Sequence, residues 1–358
     1  MLLRYGLPPG LVQKIKRLYS NCKVKIRVGT ETIELHYTTG VHQGDNMSPV
    51  LFLFIMQAFL DTLHFKTQNI QFSYFPKNKN GNLQTSKGRL LGQNTKAQGS
   101  PFIFNSSLYI DDSFFCFQTR QELHQATIKL NAHFAHFGLT MHVGSNASKS
   151  KSGAMFFPAS LKQAKQEVAV NVLPEDLTLP GGQTVHFVHK FKYLWSIITP
   201  LLNEDAEVKA RIKKTKSLLG AAKSFFDNKD VDKRIKSHIY VAGPLNALLW
   251  GCKTWNLTKG NLSKLTSFHH SAICRILAIS WKQVREKHIK NKEVRGMLYN
   301  IPNIDAFITR RTAVYIRKIT RSEGNSLPKK LLAAWIRGLR KNGGLQLSCN
   351  NNSTFMQQ

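Results

Sequence analysis

The stretch from Ser106 to Phe115, SSLYIDDSFF, sets two adjacent carboxylates between two short apolar runs. Runs this short do not build helices but do build strands, so the chain is predicted to fold here as a tight antiparallel hairpin. Two like charges held a few ångströms apart resist ionising together, and a nearby cation would offset that cost. Hard carboxylate oxygens suit magnesium, which retains waters, bridges substrate phosphates and acts in pairs in nucleotidyl transfer. The plainer reading is a doublet that only turns the chain, since aspartate is a favoured turn residue. Tyr109 before the pair and the apolar runs on both sides weigh against it.

The surrounding composition makes the doublet stand out. Among 358 residues, 51 are Lys or Arg and 20 are Asp or Glu, a formal charge of +31 with an isoelectric point near 10.1. Such an excess points to a polyanionic partner, nucleic acid first among them. It is uneven: residues 1–200 hold 21 basic and 10 acidic groups, and residues 201–358 hold 30 and 10, so the C-terminal part is the expected phosphate-tracking surface. The cysteines, Cys22, Cys116, Cys252, Cys274 and Cys349, form no CxxC pair and no disulfide framework, which fits reduced thiols in a nuclear or cytoplasmic, intracellular setting. The longest apolar run, residues 50–56, is too short to span a bilayer, so no membrane role is expected.

Along the chain, residues 10–19 have the spacing of a basic amphipathic helix with Leu11, Ile15 and Leu18 on one face. Residues 23–28, KVKIRV, alternate charged and aliphatic side chains, and with 31–37 they predict a β-ribbon with one basic face. Ser48 and Pro49 read as N-cap and first-turn proline of a buried helix. Residues 76–100 are rich in Asn, Gly, Ser and Lys and are expected to be a mobile insertion. Residues 121–137 predict a helix with Leu123, Ile128, Leu130 and Phe134 inward, closed by Gly138. From 201 onward, residues 208–226, 234–250, 262–277 and 304–321 read as successive basic helices. Trp250 falls in one of these segments and Trp255, Trp281 and Trp335 lie between or after them; all four are expected to pack the helical core rather than to stack bases.

YIDD between apolar strands resembles the YxDD box of reverse transcriptases, and its neighbours fall in that family's order. GVHQGDNMSP (residues 40–49) resembles the GVRQG-xxx-SPxLF motif. FGLTMHVGSNASKSKSGAMFF (137–157) resembles the FGLxxNxxKT segment, and KFKYLWSII (190–198) the FKYLGxxI primer-grip hairpin of non-LTR retrotransposon polymerases. RYGLPPGLVQKIKRLY (4–19) looks like their GxPxxLxxxIxxLY helix, and residues 248–281 are similar to their thumb.

The resemblance implies an α+β chain: a fingers remnant and partial polymerase palm over 1–200, an all-α basic thumb over 201–340, and a disordered tail over 341–358. It implies an RNA-directed DNA polymerase that takes an RNA template, a DNA primer and deoxynucleotide triphosphates, with magnesium as cofactor. Asp111 and Asp112 would ligate the metal, and Tyr109 would sit under the primer terminus. Gln43 and Gly44 would line the nucleotide pocket, and Lys151 would act near the leaving pyrophosphate, with Lys149 a rival for that position. Phe191, Tyr193 and Leu194 would hold the primer.

Three positions depart from the family pattern: Ile110 replaces the commoner Ala, His42 replaces Arg, and Trp195 replaces the glycine that lets the hairpin approach the primer. A further carboxylate is also required, and in the family it precedes the GxPxxL helix. Residues 1–30 contain none, and Glu31, Glu34, Asp45 and Asp61 do not fit the position. The expectation is therefore an N-terminally truncated polymerase, inactive by itself. The alternative is a non-catalytic nucleic-acid-binding remnant that works through its basic thumb. A histidine metal site, from His269, His270 and Cys274 or from His133 and His136, lacks the four ligands of a closed zinc centre and is set aside for satisfied helix histidines.

Overall fold

The computed structural model describes residues 1–20, 22–36, 40–42, 44–63, 71–74, 100–158, 160–323, 326–333 and 335–336. Gln43, the expected insertion apart from residue 100, and the expected tail lie outside the described residues. From the N-terminus run α1 (Pro9–Tyr19), the ribbon strands β1 (Lys23–Val28) and β2 (Glu31–His36), and α2 (Ser48–Thr62). β3 (Gln71–Tyr74) pairs with β4 (Ser100–Ile103), and β5 (Ser106–Tyr109) pairs with β6 (Asp112–Phe115). α3 (Arg120–His136) and α4 (Leu161–Ala169) follow, then two small hairpins, β7 (Leu177–Thr178) with β8 (Thr184–Val185) and β9 (Phe191–Tyr193) with β10 (Ser196–Ile198). The longer helices beyond them are α5 (Asp205–Ala221), α6 (Lys233–Tyr240), α7 (Lys259–Ile276) and α8 (Ile304–Arg321), and β11 (Trp335–Ile336) pairs with β3. Among the described residues helix outweighs strand and the named strands pair antiparallel, so the chain is α+β. Among the described residues no helix is long and apolar enough to cross a membrane.

The chain divides into two compact units assembled from interleaved segments. The first holds residues 1–69, 105–152 and 176–186; the second holds 70–104, 153–175 and 187–358. In the first unit, Met56 and Phe59 of α2 meet Leu130 of α3, with Leu108 and Phe115 of the β5–β6 hairpin packed against them. Phe59 stacks on Phe134 at 4.4 Å, and His133 Nε2 lies 3.1 Å from both the Phe59 carbonyl oxygen and Thr62 Oγ1. His133 is thus a helix-to-helix tie.

Local chemistry accounts for the ends of α3. The Thr119 hydroxyl accepts from the Glu122 N–H, and the Glu122 carboxylate accepts from the Gln118 N–H. At the other end Gly138 sits at φ 69, its N–H reaching the Ala135 carbonyl while the Leu139 N–H reaches Phe134. That pairing is a Schellman motif, and its left-handed position requires the glycine predicted there.

Two expectations for this unit are corrected. Ser48 is the first helical residue rather than the cap; the cap position is Met47, with no side-chain cap, and the Asp45 carboxylate takes the Met47 N–H at 3.1 Å just ahead of the helix. α2 is apolar nearly all round, yet only Ser48, Met56 and Phe59 are buried, because one face alone meets α3 and the hairpin. α1 buries none of its residues, and Leu11 and Leu18 of its apolar stripe are exposed. The ribbon has the predicted alternation: Lys23, Lys25 and Arg27 project from one face, and Val24, Ile26, Ile33 and Leu35 from the other. Both of its faces are exposed.

The second unit has the larger core, centred on Val208, Tyr240, Leu245, Leu248, Leu265, Ile273, Leu298 and Ile304. Its helices follow the predicted segments with two interruptions. The segment 208–226 starts earlier and breaks at Ala222, and 234–250 leaves α-helix at Val241, where Pro244 sits inside a π-turn. Trp255 packs on the core as expected. Trp250 and Trp281 do not: each keeps 52% of its surface exposed, because both stand at helix ends where the chain turns outward. The Trp335 side chain lies outside the description.

His269 and His270 are core residues. The buried Tyr240 hydroxyl lies 2.8 Å from His269 Nδ1, and His269 Nε2 lies 3.1 Å from the Pro302 carbonyl oxygen. Burial holds the phenol above its ordinary range, so it keeps its proton and donates it to Nδ1, which fixes His269 as the Nε2–H tautomer. His270 Nε2 is 3.2 Å from the Arg295 guanidinium. Among the described residues no group of three or more His, Cys, Asp or Glu could hold a metal ion.

Candidate functional site

The β5–β6 register pairs Tyr109 with Asp112, which leaves Ile110 and Asp111 as a two-residue hairpin loop. Tyr109, Ile110, Asp111 and Asp112 are all exposed, and neither carboxylate has a hydrogen-bond or ion-pair partner among the described residues. Ile110 has φ 55. A β-branched side chain in the left-handed region costs roughly 1–2 kcal/mol, and glycine or asparagine would remove that strain. The tip thus presents two unneutralised carboxylates in a conformation its own sequence disfavours.

Three of the four carboxylates considered as a third ligand have other work. Asp45 accepts the Met47 N–H ahead of α2 and lies 3.4 Å from the Tyr19 hydroxyl, and Tyr19 in turn stacks on His42 at 4.6 Å. Asp61 accepts from the Tyr5 hydroxyl and from Gln57 Nε2, both at 2.7 Å, and the Tyr5 bond is the main reason its carboxyl is held below the usual range. Glu34 pairs with Lys25 at 3.0 Å and Lys23 at 3.2 Å across the ribbon, and these hydrogen bonds lower its carboxyl. The donor atoms of Asp111 and Asp112 are of the hard type magnesium takes, but the described residues bring no third ligand to them.

Gly44 adopts φ 93 in the turn before α2, a conformation open to glycine, and Gln43 beside it is outside the described residues. Lys149 and Lys151 are exposed on the loop after α3. That loop is closed by the Asn146 side chain, which accepts from the Lys149 N–H at 3.1 Å, and by the Lys151 N–H reaching His142 Nδ1 at 3.3 Å. Gly144 runs beneath it: a Cβ there would sit 2.5 Å from the Lys149 carbonyl carbon and 2.6 Å from Ser150 N. No side chain fits without moving backbone. Gly144→Ala is expected to destabilise the first unit by roughly 1–3 kcal/mol, the usual cost of overpacking. Urea unfolding of the variant checks this, and a change under about 0.5 kcal/mol, the scatter of ordinary surface substitutions, would contradict it.

In the second unit, Phe191, Tyr193 and Leu194 lie on the β9–β10 hairpin and are half-buried. Phe191 packs over Gly153, where a Cβ would lie 3.3 Å from its ring. Tyr193 pairs with Ser196, so Leu194 and Trp195 form the loop, at φ 46 and 66. Two positive φ angles mark the turn type normally filled by Asn-Gly, and two bulky residues there are strained.

The strain is held by a charge pair that the sequence reading missed. Glu207 and Arg211 on α5 are 2% and 6% exposed and meet at 2.6 Å. Glu207 Oε2 accepts the Ile197 N–H at 2.8 Å, and the Arg211 guanidinium donates to the Trp195 carbonyl oxygen. One pair therefore holds the hairpin both at its turn and at the strand that leaves it. Above the turn, Lys192 Nζ lies 3.7 Å and Lys214 Nζ 5.1 Å from the centre of the Trp195 ring.

The site residues thus fall on two units: the aspartate hairpin and Lys151 on the first, the clamped hairpin on the second. A scan of the chain against protein-family models and a search of curated proteins each give no match.

Proposed function

We propose that this chain is a reverse transcriptase polypeptide of non-LTR retrotransposon type, built as a palm bearing the β5–β6 hairpin and a basic helical thumb. The observation that carries the proposal is the exposed, unpaired Asp111–Asp112 doublet at a hairpin tip, with the family's other motifs in order on either side. RNA template, DNA primer and deoxynucleotide triphosphates are its substrates in this reading. Magnesium would neutralise phosphate charge at the doublet. With two carboxylates and no third among the described residues, the chain by itself is proposed to bind nucleic acid without extending a primer.

Two assays on the purified chain test this. With magnesium and an annealed RNA template and DNA primer, no extension is expected, while anisotropy titrations show binding that weakens steeply with salt. Asp111→Asn is expected to bind as tightly as the unaltered chain or slightly better. Extension abolished by Asp111→Asn would mean that the metal set is complete and that the chain is an active polymerase. Absence of binding at low salt would reject the nucleic-acid reading altogether.

A second reading, a nucleic-acid-binding protein with no polymerase role, draws on the basic residues exposed along the second unit, among them Lys209, Lys213, Lys214, Arg310 and Arg317. It predicts equal affinity for overhang duplexes of the same length whether the recessed end is 3′ or 5′.

A further inference from the structure

Trp195 carries the largest side chain there is at a turn position that favours none, and 59% of its surface is exposed. Its backbone is pinned by the buried Glu207–Arg211 pair, so the indole stands on a fixed base. Lys192 and Lys214 place their ammonium groups against the ring. Trp250 is close along the surface: its neighbour Gly251, at φ 77, has space for a Cβ only 3.3 Å from Ser196 Oγ of the same hairpin. Two half-exposed tryptophans on adjoining turns, with lysines beside one of them, match what proteins use to hold unpaired strands. There the bases stack on aromatic faces while cations follow the phosphates.

We propose that Trp195 is a stacking platform for an unpaired base of a single-stranded polynucleotide, with Lys192 and Lys214 engaging the adjoining phosphates. The proposal rests on the nucleic-acid reading above and adds a preference: a duplex keeps its base faces covered and gains nothing from the indole, so single strands are favoured. The chain's charge of +31 is complementary to such a ligand.

The test uses fluorescent anisotropy with the whole chain and three probes: a short oligodeoxythymidylate, an oligomer of equal length made of abasic spacers, and a duplex. Stacking on one aromatic residue is worth about tenfold in affinity. Trp195→Leu is therefore expected to weaken oligodeoxythymidylate binding by roughly that factor and leave the abasic oligomer and the duplex unchanged, while Trp195→Phe keeps most of the affinity. Equal binding of oligodeoxythymidylate by the Trp195→Leu and unaltered chains would overturn the proposal and leave the nucleic-acid reading standing. An equal loss on the abasic oligomer would also overturn it, since the side chain would then act through the shape of the hairpin. If the unaltered chain binds none of the three at low salt, both readings fall together.

Discussion

Replacing Arg211 with Met is expected to cost the second unit about 3–5 kcal/mol, the loss that follows when one partner of a buried ion pair is removed. Glu207, 2% exposed, would keep only the Ile197 N–H to offset a carboxylate out of water. The Trp195 carbonyl would lose its guanidinium donor at the same time, and the strained turn would lose its anchor. Urea unfolding followed by tryptophan fluorescence reads the effect. The double variant Glu207→Leu/Arg211→Met is expected to recover part of the loss, because the uncompensated buried carboxylate is gone while the Ile197 N–H and the Trp195 carbonyl still lack their partners. A single variant within about 1 kcal/mol of the unaltered chain, the scale of an exposed pair, would show that the pair is not buried in solution.

The second large effect is an acid weakness centred on His269. Burial pushes this imidazole down from its ordinary 6.5 to about 4, with the charges of His270 and Arg295 adding to it and the Pro302 carbonyl opposing. Unfolded, the ring takes up a proton near pH 6.5; folded, it resists until near pH 4. Between those values the unfolded chain binds more protons, so stability falls as pH falls through that window and is complete above it. The total is about 3 kcal/mol, at 1.36 kcal/mol for each unit of separation. The Tyr240 bond works in the same direction: His269 Nδ1 accepts from the phenol, and a protonated ring has no lone pair to offer. Urea midpoints at pH 7.5 and pH 4.5 measure the slope. His269→Gln, which retains a donor toward Pro302, is expected to lower the midpoint at neutral pH and flatten the slope. An unchanged slope would assign the acid sensitivity to other groups.

Much of the backbone was legible because its signals are local. Period-two alternation predicted the ribbon, short apolar runs around the doublet predicted the aspartate hairpin, and Gly138 marked the end of α3 because only a left-handed residue closes a Schellman motif. The candidate site was less legible. Glu207 and Arg211 are four residues apart on a basic helix, the spacing of an ordinary solvent-facing pair, and nothing local says that the β9–β10 hairpin lies over them. Trp250 and Trp281 belonged by periodicity to a packed face, but the helices end beside them and turn them outward. Gly144 has no distinguishing neighbour in sequence; its need comes from the Lys149–Ser150 backbone folding back onto it. Pro244 was visible, yet the chain absorbs it in a π-turn, where Thr215 Oγ1 approaches the Pro244 carbonyl oxygen at 3.5 Å.

The N-terminal ribbon bears on how the molecule behaves in a crowded solution. Val24, Ile26, Val28, Ile33 and Leu35 stay between 43% and 68% exposed, and a two-stranded ribbon has two unpaired edges. What keeps one molecule's apolar face from finding another's is mutual repulsion between copies that each carry +31. That repulsion reaches only about 8 Å at physiological ionic strength. Salt that strips a polyanion from the lysines therefore also removes the barrier to self-association, so colloidal stability and nucleic-acid affinity in this chain draw on the same charges.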